Sequence, residues 1–262
     1  MLHRRLSSVF AAVAVVALTS CDTTNPVTQL LDDATITNDV AASAGDAMAT
    51  HVEMMVGNET SGSFSGLMAG DVIGAANATS TNRTTACFDA AGAVVTNCQP
   101  ISSVRRIVSQ VTLNGTRTRT DTINTRVRSF SGALHRVVVD TVTRNFTGAT
   151  ETSRSHSGLS TANDTTTFTE SDVTRVATET AVDSVKAVTF SVPRSAYPVS
   201  GSMVRVVTGK VTLTKGTKTE SRQISRTITV TFPPDAQGNV SLTVNGKTCS
   251  LNLVTHKVSS CT

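Results

Sequence analysis

Residues 224–232 read Ile224-Ser-Arg-Thr-Ile-Thr-Val-Thr-Phe232, and from Thr227 onward threonine alternates with an apolar side chain. An alternation of period two places the apolar side chains on one face of an extended strand. β-Branched residues favour this pleated conformation, because they lose rotamer freedom in a helix. The stretch therefore predicts a half-buried strand, and the same pattern recurs from about residue 86 to the end of the chain.

Short turn signals separate the predicted strands. Asn114-Gly115, Lys215-Gly216 and Asn245-Gly246 each lie between two alternating runs. Because Asn-Gly is a strong signal for a type I′ turn, residues 105–113 and 116–127 are predicted to pair as a hairpin. Further predictions are a turn over 233–238, strands over 134–146, 165–169, 172–181 and 185–192, and a break at Pro193 and Pro198.

The predicted fold is mainly β, a long-stranded antiparallel meander curled into a barrel, a half-barrel or a sandwich. No helical pattern lies between the strands, so parallel crossover connections are not expected. An outer-membrane barrel needs aromatic girdles and an apolar band facing the lipid. Aromatic residues make up only 3% of this chain, which argues against that class.

Residues 37–57 form the one predicted amphipathic helix, with Gly57 as its stop signal. A single helix beside a large sheet must bury its apolar face, so the stripe of Met and Ala is interpreted as core packing rather than a binding groove. Residues 58–86 are rich in Gly, Ser, Asn and Thr and are read mostly as loop, with a short second helix as the alternative. The stripe comprises Val40, Ala44, Ala47, Met48, Val52, Met55 and Val56.

The first twenty residues have the pattern of a secretory signal peptide. Arg4 and Arg5 precede an uncharged apolar stretch over 9–18, which is too short for a spanning helix. Leu18-Thr-Ser-Cys21 then closes the stretch, and this motif resembles the lipobox of bacterial lipoproteins. The resemblance covers residues 1–21 and implies cleavage before Cys21 and a diacylglyceryl group on its sulfur.

A lipidated Cys21 would hold the rest of the chain at a membrane, since two or more acyl chains anchor a protein stably. Residues 21–36 are polar and suit a tether, so the expected location is the cell envelope, outside the cytoplasm. Asp22 resembles the inner-membrane retention signal of enteric lipoproteins, but that code is not general. The inner and the outer membrane both stay open.

The other four cysteines are expected to form two disulfides, because the chain is predicted to leave the reducing cytosol. Each close pair brackets a predicted hairpin, which favours Cys87 with Cys98 and Cys249 with Cys261. Each bond would contribute on the order of 3 kcal/mol or a little less. A zinc site is the rival interpretation, but there is no Cys-x-x-Cys pair and the five histidines are scattered. No metal or cofactor is predicted.

No motif in the chain predicts an active site. The stretch Gly62-Ser-Phe-Ser-Gly66 has Phe64 where a nucleophile elbow needs serine, and there is no phosphate loop, His-Glu-x-x-His or calcium loop. Scattered histidines are more often surface residues, or buried residues with a hydrogen-bond partner, than catalytic bases. No catalytic residue is therefore assigned, and the protein is expected not to be an enzyme. The histidines weighed are His51, His135, His156 and His256.

Nine arginines and no lysine occur between Arg105 and Arg154, opposed only by Asp121, Asp140 and Glu151. One interpretation is a basic stripe that meets an anionic envelope polymer or lipid headgroups. The preferred one is that these arginines solubilise an exposed face and protect sheet edges. Nucleic acid is not an expected partner, because only two phenylalanines accompany the stripe and the compartment is wrong.

Residues 58–262 are therefore predicted to form a β domain after signal, tether and helix. Without residues 1–20 the chain has 21 basic and 19 acidic residues, so overall charge favours no particular partner. The leading hypothesis is a lipid-anchored, non-enzymatic structural or interaction module with an envelope polymer or protein as its possible partner. The alternative is a carrier that holds a lipid or other apolar ligand within the curled sheet, because Val, Thr and Ala could leave its interior incompletely filled.

Overall fold

One α-helix and nine β-strands make up the computed structural model, which describes residues 31–60, 79–99, 101–123, 126–193, 195–259 and 261–262. Helix α1 spans Asp33–Thr60. The strands are β1 Thr79–Phe88, β2 Arg106–Ile123, β3 Arg126–Thr147, β4 Thr150–Glu170, β5 Val173–Ser191, β6 Ser200–Lys215, β7 Lys218–Thr231, β8 Asn239–Val244 and β9 Lys247–Asn252.

The nine described strands form a single sheet in which every strand is antiparallel to its neighbours in the chain, in the order β1 to β9. The predicted antiparallel meander with one N-terminal helix is confirmed. This single sheet curls around α1, which packs against its inner face.

The last two predicted hairpins are confirmed. Asn245 and Gly246 have φ values of 46° and 87°, the left-handed conformations that a type I′ turn requires at both central residues. They join β8 to β9, with Val244 opposite Lys247. Gly216, with φ at 57°, occupies the corresponding place between β6 and β7.

The hairpin predicted at Asn114-Gly115 is wrong. Strand β2 continues through both residues in an extended conformation, and it pairs with β3 without interruption from Arg106 to Ile123. Leu113 therefore lies opposite Arg136 rather than Thr116. A long ladder of regular pairs outweighs the local turn preference of two residues, because β structure depends strongly on its tertiary context.

Several boundaries also differ from prediction, and the strand predicted over 165–169 is the end of β4, which begins at Thr150. Residues 79–86, read as loop, belong to β1, and the two strands predicted over 172–181 and 185–192 are the single strand β5. Ala187, with φ at 49°, marks an irregularity in β5 that does not end it. Helix α1 begins four residues before Thr37 and passes through Gly57, because a glycine weakens a helix by only about 1 kcal/mol.

Helix α1 is buried on nearly all sides, whereas an amphipathic surface helix would keep one face in water. Between positions 36 and 55 only Asn38 and Glu53 are even half-exposed. The predicted apolar stripe packs against the inner face of β5–β9, and Met54 packs against β2 and β3. The apolar stripe shares one hydrophobic core with these sheet residues: Val185, Val188, Phe190, Met203, Val207, Val211, Leu213, Ile224, Ile228, Val230, Val240, Leu242, Val244 and Leu251.

Both predicted disulfides are present in the structure. Cys87 and Cys98 close the turn after β1, with their Cα atoms 5.2 Å apart. Cys249 and Cys261 tie β9 to the C-terminal residues, with their Cα atoms 4.4 Å apart. Among the described residues, no helix is long and apolar enough to cross a membrane.

The outer face of the sheet carries few charges. Across β3–β6, two neighbouring rows of paired residues consist of Val, Leu, Thr and Ser. Four of their apolar side chains are between 38% and 58% exposed, namely Val139, Leu159, Val182 and Val206. The ionisable side chains of this part of the sheet lie mainly on its inner face, under α1.

Candidate functional site

A network of charged side chains lies between α1 and the inner face of β3–β6. These residues occupy the inward positions of the period-two alternation and are all at least 94% buried. Buried charges are rare in proteins unless they are paired. The residues contributed by the sheet are Arg136, Asp140, His156, Asp164, Arg175, Glu179, Asp183 and Arg205.

Arg205 is the centre of this network, and its side chain has no exposed surface. Its guanidinium donates to both carboxylate oxygens of Asp183 at 2.9 Å and to Asp164 at 2.7 Å. Ser160 adds a hydrogen bond of 2.7 Å to Asp183. Burial alone would raise the pKa of Asp183, but Arg205 and then Arg136 outweigh it and hold that pKa below its ordinary value. The pKa of Arg205 is raised by Asp183 and then Asp164 despite its burial, so Asp183 and Arg205 are both charged inside the protein.

Helix α1 presents polar groups to β3–β5 at intervals of four residues. Positions 39, 43, 47 and 51 share one face of a helix, and this face borders the apolar stripe. The contacts are Asp39 with Arg175, Ser43 with Thr166, and the Ala47 carbonyl oxygen with Arg136. This polar stripe fixes the rotation of α1 and its position along its axis, because a shifted helix would leave buried partners unsatisfied.

His156 and Asp140 form a second buried pair on neighbouring strands. The Nδ1 atom of His156 lies 2.8 Å from a carboxylate oxygen of Asp140, and the imidazole has no exposed surface. The ring packs edge-on against Phe190, with 5.6 Å between the ring centroids. The hydrogen bond between His156 and Asp140 allows the imidazole to be buried, because a buried polar group needs a partner.

His51 lies one turn beyond the Arg136 contact and lines a small recess. Ser109 and Asp140 also line the recess, which has a volume of about 10 Å³. Burial is the main cause that lowers the pKa of His51 to about 4. At neutral pH its imidazole is therefore uncharged.

The C-terminal residues are held against α1 by His256. Its two ring nitrogens lie 3.1 Å from Asp46 and 2.9 Å from Glu53, which are seven residues apart on one side of the helix. Burial alone would lower the pKa of His256, but its hydrogen bonds to these carboxylates raise it to about 9. Gly45 lets Val258 approach closely, since a Cβ atom there would lie 2.4 Å from the Val258 side chain.

The predicted basic stripe does not form one exposed face. Arg136 is buried, and Arg144 and Arg154 share the carboxylate of Glu151. Burial would raise the pKa of Glu151, but the hydrogen bonds from both arginines lower it to about 2. Arg105 lies over the ring of Phe146 at 4.0 Å. For these residues the preferred interpretation, exposed solubilising arginines, is wrong.

The structure brings together none of the predicted site residues except the disulfide partners. Cys21 lies outside the described residues. No group of three or more His, Cys, Asp and Glu residues in the described part of the chain is arranged to hold a metal ion. Sequence reasoning missed the buried network, although Arg205 stands in phase with Met203 and Val207, a position that the alternation assigns to the interior.

Comparisons of this chain with protein-family models, with curated proteins and with solved structures find no match.

Proposed function

We propose that this protein is a lipid-anchored component of the cell envelope that acts as a non-enzymatic structural or interaction module. The observation that carries the proposal is the occupied interior. Helix α1 fills the space that a carrier would need for its ligand, since it is buried from Ile36 to Met55 and contacts the inner face of the sheet along its length. A pocket for a small molecule typically measures several hundred Å³.

The buried network supports a structural role. Charged pairs that are buried and fully surrounded often add little net stability. Here they connect α1 to β3, β5 and, through Arg205, to β6, so they specify one arrangement of helix and sheet. A rigid unit of this kind is suited to hold a surface in a fixed position near a membrane.

The proposed location is supported by three observations. Leu18 to Cys21 resembles a lipobox at the end of an apolar stretch. Two disulfides are compatible with an oxidising compartment. A short polar segment connects Cys21 to the start of α1 at Asp33.

Replacing Cys21 by alanine is expected to leave an unprocessed precursor that takes up no labelled fatty acid, because the residue that carries the lipid is gone. Metabolic labelling with radioactive palmitate, followed by immunoprecipitation, measures this. The control is Thr24→Ala, which should be processed and labelled like the unchanged chain. Acylation of the Cys21→Ala protein would contradict the proposed anchor.

Native mass spectrometry of the protein without its lipid anchor is expected to give the mass of the bare polypeptide with two disulfides. Added palmitate should not bind, because α1 occupies the interior of the sheet. Co-purified lipid at one molecule per chain would reject the structural module and favour the carrier.

A further inference from the structure

The recess beside the C-terminal half of α1 has the size of a site for one water molecule or one ion. Its volume of about 10 Å³ corresponds to one water-sized sphere. Apolar side chains from β2 and β3 form the opposite wall and restrict access by water. The lining residues are His51, Met54, Met55, Ser109, Val111, Val138 and Asp140.

Two polar atoms of the lining have no hydrogen-bond partner among the described residues. They are Nδ1 of His51, whose side chain is 2% exposed, and one carboxylate oxygen of Asp140, which is 5% exposed. A buried polar atom without a partner costs about 1–3 kcal/mol. A bound group that contacts both atoms would offset that cost.

The helix brings three potential ligands to this recess. His51, Met54 and Met55 stand at positions i, i+3 and i+4, which share one face of a helix. Thioether sulfur is a soft ligand that selects monovalent copper, and imidazole also binds copper well. Zinc favours thiolate, imidazole and carboxylate ligands, and the hard divalent cations favour oxygen ligands. The described residues offer no group of three or more His, Cys, Asp and Glu arranged to hold such an ion.

We propose that this recess is a binding site for a single Cu(I) ion, held by Nδ1 of His51 and the thioethers of Met54 and Met55. The carboxylate of Asp140 offsets the positive charge of the ion, and its hydrogen bond to His156 fixes its orientation. Val111 and Val138 line the recess on the side of the sheet. The extracytoplasmic location is not needed for this inference, so it stands apart from the proposed function.

The low pKa of His51, about 4, favours binding once the site exists. A metal ligand must be deprotonated, and a histidine with an ordinary pKa would lose affinity below about pH 6.5. His51 stays neutral between pH 6.5 and its own pKa of about 4, so Cu(I) has no proton to displace there.

Competition with a chromophoric Cu(I) chelator tests the site. The full chain, purified from membranes in detergent, is titrated with Cu(I) alone in anaerobic buffer with ascorbate. Any free thiol is blocked with N-ethylmaleimide before the titration, because it would bind Cu(I) by itself. We expect the parent protein to retain one Cu(I) in this site, and Met54→Leu and Met55→Leu each to weaken its binding about tenfold or more.

Met48→Leu is the matched control, since Met48 is a buried methionine of the same helix that does not line the recess. Exchange of Leu and Met conserves volume, and circular dichroism with thiol titration checks that each variant keeps its fold and both disulfides. X-ray absorption should show sulfur ligands on the bound copper. Equal affinity in all variants, copper without sulfur ligands, or no copper retained against the chelator would each overturn the proposal.

Discussion

Replacing Arg205 by methionine is expected to destabilise the fold by about 3–5 kcal/mol, the cost of removing one partner from a buried ion pair. The guanidinium serves two carboxylates, Asp183 and Asp164, and all three side chains are at most 2% exposed. Methionine fills much of the same space without charge, so the loss comes mainly from two buried acids left without their cation. Denaturation in urea with both disulfides intact measures the change as a lower midpoint.

The matched control is Lys215→Met, which also removes a cation from an ion pair. Lys215 lies 3.6 Å from Asp172, but the two side chains are 46% and 67% exposed. Water screens such a pair, so this variant should stay within about 0.5 kcal/mol of the parent. Adding Asp164→Asn and Asp183→Asn to Arg205→Met should recover part of the loss. A midpoint for Arg205→Met that matches the control would show that the network does not hold the structure.

The sheet could be predicted because its signals are local. Alternation with period two identifies a strand wherever one face is buried, and Asn245-Gly246 supplies the left-handed residues that its hairpin needs. The same dipeptide at 114–115 failed because its fate depends on a partner strand, β3, that lies some twenty residues further along the chain. A local signal cannot show whether a longer ladder is available.

The buried network could not be predicted in full, because its pairs are distant in the sequence. Arg175 meets Asp39 across 136 residues, and Arg205 meets Asp164 across 41. Reading charged residues as exposed placed Arg136 on the surface, where it is not. The alternation itself held a clue, since Arg205 shares the phase of its apolar neighbours Met203 and Val207.

Helix α1 likewise has one part that could be predicted from the sequence and one part that could not. Its apolar stripe was read from spacing and packs as predicted. Its polar stripe at positions 39, 43 and 51 has the same four-residue spacing, but it would normally be assigned to solvent. Only a sheet that curls around the helix gives that stripe buried partners. The two methionines of the recess were likewise read as packing, because nothing in the sequence places Asp140 beside them.

The stability of this protein is expected to be greatest near pH 6.5 and to fall on both sides, because two histidines shift in opposite directions. Burial lowers the pKa of His51 from 6.5 to about 4. The carboxylates of Asp46 and Glu53 overcome burial and raise the pKa of His256 from 6.5 to about 9. A pKa change of this size corresponds to about 3 kcal/mol for each residue.

The direction of each change in stability depends on whether the folded or the unfolded state binds the proton more tightly. Between pH 6.5 and 4 the unfolded chain protonates His51 while the folded protein does not, so stability falls as the pH falls through this window. Between pH 6.5 and 9 the folded protein keeps the proton on His256 while the unfolded chain loses it, so stability falls as the pH rises. Glu151, with a pKa of about 2, adds a further loss below its ordinary value of 4.5.

The midpoint of urea denaturation, measured from pH 4 to pH 9, tests the decline below pH 6.5 and the decline above it separately. His256→Gln should be less stable at pH 6.5 and should lose most of the decline above that pH, because glutamine carries no proton to release. His51→Asn should flatten the decline between pH 6.5 and 4 and leave the alkaline side unchanged. If His256→Gln kept the full alkaline decline, the contact of His256 with Asp46 and Glu53 would not be what ties the C-terminal residues to α1.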